Sequence, residues 1–442
     1  MKKIRIGGGA GFARDRVEPA LELAEKGNID YLVFECLAER TIATDQLEKM
    51  SNPDKGYNVG LERRLGAVLP VCAEKGIKII TNMGSANPAA AARKIGEMCR
   101  QMGLKLKVAG VEGDDVTQLV KGYKVTIFET GKDLDTIRDK IVSANAYLGA
   151  EPIAEALRGG ADVVILGRSA DPSMFIAPMM HEFGWKADDW HRLGVGTVLG
   201  HLMECGGQVT GGYFADPGYK DVDGLAVLGF PICEVSENGD AVITKVPGSG
   251  GKVTPLTCKE QLLYEIHDPG NYYTPDVIAD FMNVEFAQAG PDAVSVKGGE
   301  GKPRSDTYKV SVGYRDSFIG EGQMTYAGPG AYERARLAVD IVMKRLEIQG
   351  FKSTETRIDF IGMNSIHGPK MWSDVEPYEV RLRIACRTET AAEAAKVGTE
   401  VSTLLTNGPA GGAADFAQVR EIIAILSVLL PRDMVKPTIA FV

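Results

Sequence analysis

This sequence predicts an α/β fold: a mostly parallel, Rossmann-like sheet in the N-terminal part and an α+β domain behind it. Three observations predict it. Short apolar runs alternate with stretches of helical period from the start of the chain to about residue 171. Runs such as YLVF at 31–34 and VVIL at 163–166 are apolar throughout, as strands buried on both faces are. Glycine and polar residues gather where those runs end, and open α/β sheets bind ligands at such strand ends. A closed (β/α) barrel uses the same ends and stays open as an alternative.

The first strand, near 3–6, runs into Gly7, Gly8, Gly9 and Gly11, which read as a turn that leaves the backbone open to a ligand. A helix follows from about Pro19 to Lys26, with proline at the first position, where a missing N–H costs nothing, and Gly27 as its stop. The second strand, 30–34, ends at Glu35. Leu61, Leu65, Val68, Leu69 and Cys72 recur at helical spacing, and Pro70 predicts a kink or a late start. A third strand, 77–81, ends at Asn82. Asn87 then caps a helix that puts Ala91, Ile95, Met98, Cys99 and Met102 on one face. A fourth strand near 106–109 ends in Gly110–Asp115, where Asp114 and Asp115 read as solvent-facing turn residues or a cap. Residues 123–128 predict a short inserted strand, and 141–147 a further strand carrying Asn145. Residues 161–166 predict a buried strand ending at Gly167, Arg168 and Asp171.

From about 172 to 299 the pattern loosens into mixed helix and loop, expected to cap the cleft, and GGEGKPRS at 298–305 reads as a linker. The N-terminal domain is therefore drawn as 1–300 and the C-terminal α+β domain as 301–442. In the latter, 308–314 alternates, 331–346 is a helix and 357–361 a strand. Residues 378–385 put Val380, Leu382 and Ile384 on one face and Arg381 and Arg383 on the other. A helix at 391–405 and a final apolar helix close the chain.

With 442 residues, 44% of them hydrophobic, the chain can bury a sizeable core, and a net charge of -9 argues against nucleic acid as a partner. Seven scattered cysteines without a C-x-x-C pair fit a reducing cytoplasm. No apolar run follows the basic opening MKKIRIGGG, so no signal peptide is expected. The longest apolar stretch, 422–430, is too short for a bilayer. A homo-oligomer is expected.

Gly7, Gly8, Gly9 and Gly11, followed by Arg14 and a helix start, suit a small anionic substrate; a turn made only for packing is the alternative. Gly7-x-Gly9 begins the dinucleotide pattern, but Phe12 takes the third glycine's place, which weakens a nicotinamide reading. Glu35, Glu112 and Asp171 are candidates for proton transfer, Glu35 first because it directly follows an apolar strand; a salt bridge to Arg14 or Arg168 is its alternative. Arg168 suits a substrate carboxylate, or else an ion pair with Asp171. Asn82 and Asn145 can donate to a developing oxyanion or tie loops together. Thr210 and Gly211 lie in CGGQVTGGY, 205–213, a segment suited to close over a ligand. Cys205 would need a neighbouring base to act as a nucleophile, and an inert thiol is its alternative. The five histidines show no zinc spacing, and no metal site is assigned, while magnesium held by carboxylates stays open.

GGGAGFARDR at 7–16, DYLVFECLAERTIA at 30–43, ITNMGSANP at 80–88, LGRSADPS at 166–173, CGGQVTGGYFADPG at 205–218 and HDPGNYYTPDVIAD at 267–280, in that order, resemble the acyclic terpene utilisation family. The resemblance implies a role in bacterial growth on terpenes such as citronellol and geraniol, and genes beside acyl-CoA carboxylases. It brings no catalytic residue set. The reading that follows is a catabolic enzyme of lyase, hydratase or isomerase type. It would act on a small carboxylate or acyl-CoA thioester, with CoA as part of the substrate. A non-enzymatic companion subunit of an acyl-CoA carboxylase is the second reading, and a nicotinamide-dependent oxidoreductase the third.

Overall fold

The chain starts, as its apolar runs predict, by alternating strand and helix. β1 (Lys3–Ala10), α1 (Glu18–Lys26) and β2 (Tyr31–Phe34) are followed by α2 (Glu39–Ser51), α3 (Leu61–Lys75), β3 (Lys78–Thr81), α4 (Pro88–Gln101), β4 (Val108–Glu112) and α5 (Thr117–Gly122). Then come β5 (Ile141–Ala146), α6 (Ala150–Arg158), β6 (Val163–Leu166), α7 (Ser173–Phe183) and α8 (Trp190–Met203). This computed structural model describes residues 1–368 and 376–442.

β1, β2, β3, β6 and β4 lie side by side in that order, all parallel, with Gly8 opposite Val33, Val33 opposite Ile80, and Ile80 opposite Val164. Every residue of β2 and β6 is buried, which explains why neither run alternates. One face packs Leu32, Phe34, Ile79 and Val163 against Leu23 of α1, Leu65 of α3 and Ile95 of α4. On α7, Glu182 accepts the Tyr31 hydroxyl at 2.5 Å. α3 runs through Pro70 and stops at Gly76, whose φ of 69° is the left-handed conformation that glycine adopts without strain. Asn87 caps α4 as its sequence predicts.

The region after residue 172 departs from expectation. Besides α7, α8 and α9 (Pro255–Leu263), it forms β7 (Pro231–Ser236), β8 (Ala241–Lys245), β9 (Tyr272–Tyr273), β10 (Ile278–Asp280), β11 (Glu285–Gly290), β12 (Ala293–Lys297) and β13 (Glu300–Lys302). β7, β8, β12 and β11 extend the sheet beyond β1, each antiparallel to its neighbour. The sheet is therefore mixed rather than mostly parallel. Gly and Pro punctuate hairpins as readily as loops, so their density here concealed short strands. β13, β10 and β9 form a small sheet of their own.

The rest of the chain is β14 (Thr307–Ala327), α10 (Ala331–Ile348), β15 (Glu355–Ile361), β16 (Glu379–Thr388), α11 (Ala391–Asn407), β17 (Ala413–Pro431) and β18 (Thr438–Phe441). Two compact units result: residues 1–313 with 425–442, and residues 314–424. In the second, strands ordered β15-β16-β14-β17 carry α10 and α11. The alternation read at 378–385 is present: Val380, Leu382 and Ile384 are core, while Arg383 reaches Glu321 and Asp359, each at 2.8 Å. The last strand, β18, pairs antiparallel with β4 in the first unit.

Three more local expectations change. Gly7, Gly8 and Gly9 are residues of β1, not a turn: Gly7 pairs with both β2 and β7, Gly8 with β2, and Gly9 sits at a register irregularity. Packing demands them: a Cβ on Gly8 would lie 2.9 Å from the Met203 carbonyl oxygen, and one on Gly9 2.6 Å from the Phe34 ring. Residues 123–128 form a single bridge, Thr126 to Asp133, instead of a strand, whereas the strand expected at 141–147 is present as β5, off the main sheet and paired with β14. The final apolar run is β17, not a helix; Leu426, Val428 and Leu430 are buried at every second position.

Candidate functional site

A cavity of about 870 Å³ lies at the carboxyl ends of β1, β2 and β6. The loop after β1 contributes Gly11 and Asp15, the turn after β2 contributes Glu35, Leu37 and Glu39, and the turn after β6 contributes Arg168 and Asp171. Glu204, Cys205, Tyr264 and Glu265 close the far wall.

Glu35 is held by one oxygen. Its Oε1 accepts the Leu37 N–H at 2.8 Å and the Asn82 Nδ2 at 3.0 Å, while the Asn82 Oδ1 is fixed by the Cys36 N–H at 2.8 Å. Burial, and then the charge of Asp171, pushes the Glu35 pKa well above the carboxylate range, although the Leu37 amide, Arg168 and Asn82 oppose this. A proton on Glu35 therefore resides on Oε2, because Oε1 already accepts two donors.

Arg168, only 3% exposed, is the counter-charge. Its guanidinium donates to the Leu37 carbonyl and to Asp171 Oδ1 at 3.1 Å, and its carbon lies 4.2 Å from the Tyr147 ring centroid. The Tyr147 hydroxyl donates to Glu39. Burial alone would lower the Arg168 pKa, but Asp171, Tyr147, Glu39 and Glu35 together raise it. Burial likewise raises Asp171 against the pull of Arg168. For Glu39 burial loses: the Arg168 charge and the Tyr147 hydroxyl leave its pKa below the ordinary value.

Asp114 supports this arrangement from behind. Its Oδ2 accepts the Arg168 N–H at 2.8 Å and Asn145 Nδ2 at 3.0 Å, and burial moves its pKa to about 6. Far from being solvent-facing, Asp114 is buried and ties β4, β5 and β6 together at their ends.

Glu204 of the far wall is paired with His201, which does not line the cavity, its Oε1 2.8 Å from His201 Nδ1. Burial lifts Glu204 to about 7 against the opposing charge of His201. Burial pulls His201 down, yet Glu204 wins and its pKa ends above the usual value. The two share a proton near neutrality. Glu204→Gln removes that partner, so the buried ring is expected to be neutral at pH 7, with an NMR-observed pKa below that of the wild type; an unchanged titration would mean that the pair does not interact. Tyr213 and Glu265, also in the wall, hold φ of 61° and 59°, a conformation costing non-glycine residues about 1 kcal/mol or more.

A family model described as acyclic terpene utilisation family protein AtuA matches residues 4–441. The chain belongs to the acyclic terpene utilisation family. Membership links it to a catabolic role. No curated protein and no solved structure matches it.

In this member of the family, Glu35, Asp171, Arg168 and Gly11 come together in the cavity wall. Asn82 stands behind Glu35 and orients it, and Asn145 is bonded to Asp114. Gly7, Gly8 and Gly9 lie inside β1, and the Gly11 amide is already taken by Asp15 Oδ2 at 2.9 Å. Arg14 lines a neighbouring recess instead. The Thr210 hydroxyl donates to the Gly207 and Gly229 carbonyls, at 3.0 and 2.6 Å, and neither Thr210 nor Gly211 is among the lining residues. Glu112 is not among them either. Burial and Glu204 raise the Cys205 thiol, which favours the inert reading. Sequence reasoning passed over Glu39, Glu204, Tyr264 and Glu265. Glu39 sits inside the ECLAERTIA segment and Glu204 directly before CGGQ, so both lay within reach of motifs already singled out. Among the described residues no group of three or more His, Cys, Asp or Glu is arranged to hold a metal ion, and no helix is long and apolar enough to cross a membrane.

Proposed function

We propose that this chain is a catabolic enzyme that moves a proton next to the carbonyl of a small carboxylate or acyl thioester, with a lyase, hydratase or isomerase outcome. The observation that carries this reading is Glu35: a buried carboxyl beside Asp171, anchored through Oε1 and left with Oε2 for a cavity of about 870 Å³. A raised pKa brings a carboxyl toward the pH at which it can both take and return a proton. Asp171 and Arg168 set how strongly Glu35 holds that proton, since one charge raises its pKa and the other lowers it. Asn82 positions Glu35 rather than the substrate. Burial and the Glu265 carboxylate, to which it is hydrogen-bonded, lift the Tyr264 hydroxyl to about 12, so it stays protonated; it can serve an enolate oxygen only by leaving Glu265.

The test is hydrogen exchange in deuterium oxide with a panel of short acyl thioesters and carboxylates. Uptake of deuterium at the α-carbon of at least one member, followed by mass spectrometry, is the expected result. A panel that takes up none above the protein-free background would overturn the reading.

A further inference from the structure

A second recess, of about 700 Å³, shares Ala13, Asp15 and Thr41 with the cavity around Glu35. Arg14, Arg40, Arg63 and Arg64 line it. In a chain whose net charge is -9, such a gathering of guanidiniums needs a reason. Among the described residues none of the four has a carboxylate within 4.0 Å, although Arg63 helps at longer range to lower the pKa of Glu18. The two acids of the recess are otherwise engaged: Asp15 accepts the Gly11 and Arg16 amides, and Asp45 accepts the Ser85 hydroxyl.

Arg64 is the decisive member. It is 2% exposed, donates to the Asp15 carbonyl at 3.0 Å and the Arg16 carbonyl at 3.3 Å, and its Nε has no partner. A buried guanidinium without a counter-charge is costly unless an anion arrives. The recess is also walled by the first turns of two helices. Arg40 and Thr41 belong to α2 and Arg63 to α3, and the N-caps Ala38 and Gly60 offer no side-chain acceptor to the free amides. Helix N-termini of this kind favour negative charge.

We propose that this recess seats phosphate groups at the far end of the substrate whose other end reaches Glu35. The inference rests on reading the Glu35 cavity as the reaction centre, and it adds the substrate class. The contrast between the two spaces orients such a molecule. One is walled by the carboxyl groups of Glu35, Glu39, Asp171, Glu204 and Glu265, while the arginines attract phosphate to the other. A thioester on a phosphorylated nucleotide carrier and a diphosphate ester share this chemistry.

Calorimetric titration of the full chain with coenzyme A and with inorganic pyrophosphate tests it. At least one probe is expected to bind, more weakly as salt rises. Alanine at Arg14, Arg40 and Arg63, all exposed, is expected to weaken binding by about tenfold per arginine with an unchanged melting temperature. Lysine at the same positions is expected to restore part of the affinity, and Arg93→Ala, on α4, to leave it alone. Binding of coenzyme A alone supports the carrier thioester, and binding of pyrophosphate alone the diphosphate ester. Binding of neither probe, or a triple alanine variant that binds like the wild type, overturns the phosphate seat. That outcome leaves the deuterium-exchange result standing, just as an exchange failure with phosphate binding intact would remove the chemistry and not the seat.

Discussion

Glu35→Gln is expected to remove proton exchange, by about 10²- to 10⁴-fold, while leaving the protein at least as stable at neutral pH. Both halves follow from the same geometry. Glutamine keeps an oxygen for the Leu37 N–H and Asn82 Nδ2, so the turn after β2 holds its shape, but it cannot take a proton. The stability half has a definite sign. The folded pKa of Glu35 lies above its ordinary value of 4.5, so between those two values the folded state binds more protons than the unfolded one. Wild-type stability therefore falls as pH rises through that window, and Glu35 contributes no such loss below it. Urea midpoints measured across pH should show the wild type losing ground to the variant above about pH 4.5 and the difference closing below it. A variant that exchanges protons at the wild-type rate would remove Glu35 from the chemistry.

Arg168→Met is expected to cost about 3–5 kcal/mol, the largest stability loss of any single change at the site. The side chain is buried and holds Asp171 and the Leu37 carbonyl while stacking on Tyr147. Its removal leaves Asp171 and Glu39 with only the half-exposed Lys309, 3.9 Å from Glu39, as a nearby cation among the described residues, and the leading influence that keeps the Glu39 pKa low disappears. Adding Asp171→Asn should return part of the loss, because one of the stranded charges goes with it. A double-mutant cycle by chemical denaturation reads that interaction directly. Strict additivity, or a single-variant cost below about 1 kcal/mol, would mean that the ion pair is not what holds this strand end together.

Much of the first half of the fold was legible because its signals are local. The apolar runs at 31–34, 77–81 and 161–166 became β2, β3 and β6, and the Asn87-Pro88 start of α4 is where its capping chemistry placed it. The strand-end rule also located the cavity, since Glu35 and Arg168 meet there with Asp171. The glycines misled because a glycine demanded by a crowded neighbour looks the same in sequence as one demanded by a ligand. The crowding at Gly8 comes from Met203, far along the chain. Asp114 misled for the converse reason. An aspartate pair in a turn is ordinarily solvated, and only the arrival of the Arg168 amide and Asn145 makes burial tolerable.

The sequence by itself determined which stretches are apolar, where the α4 helix is capped, and which strand ends carry carboxyl and guanidinium groups. These follow from side-chain chemistry and short-range geometry. Tertiary structure alone decided that the run at 413–431 pairs as a strand, that β7, β8, β12 and β11 widen the sheet, and that one oxygen of Glu35 is tied down while the other is left free. Each of these depends on partners distant in sequence. Strand pairing, burial and the pKa of a buried acid are properties of what surrounds a residue, and that surrounding exists only once the chain has folded.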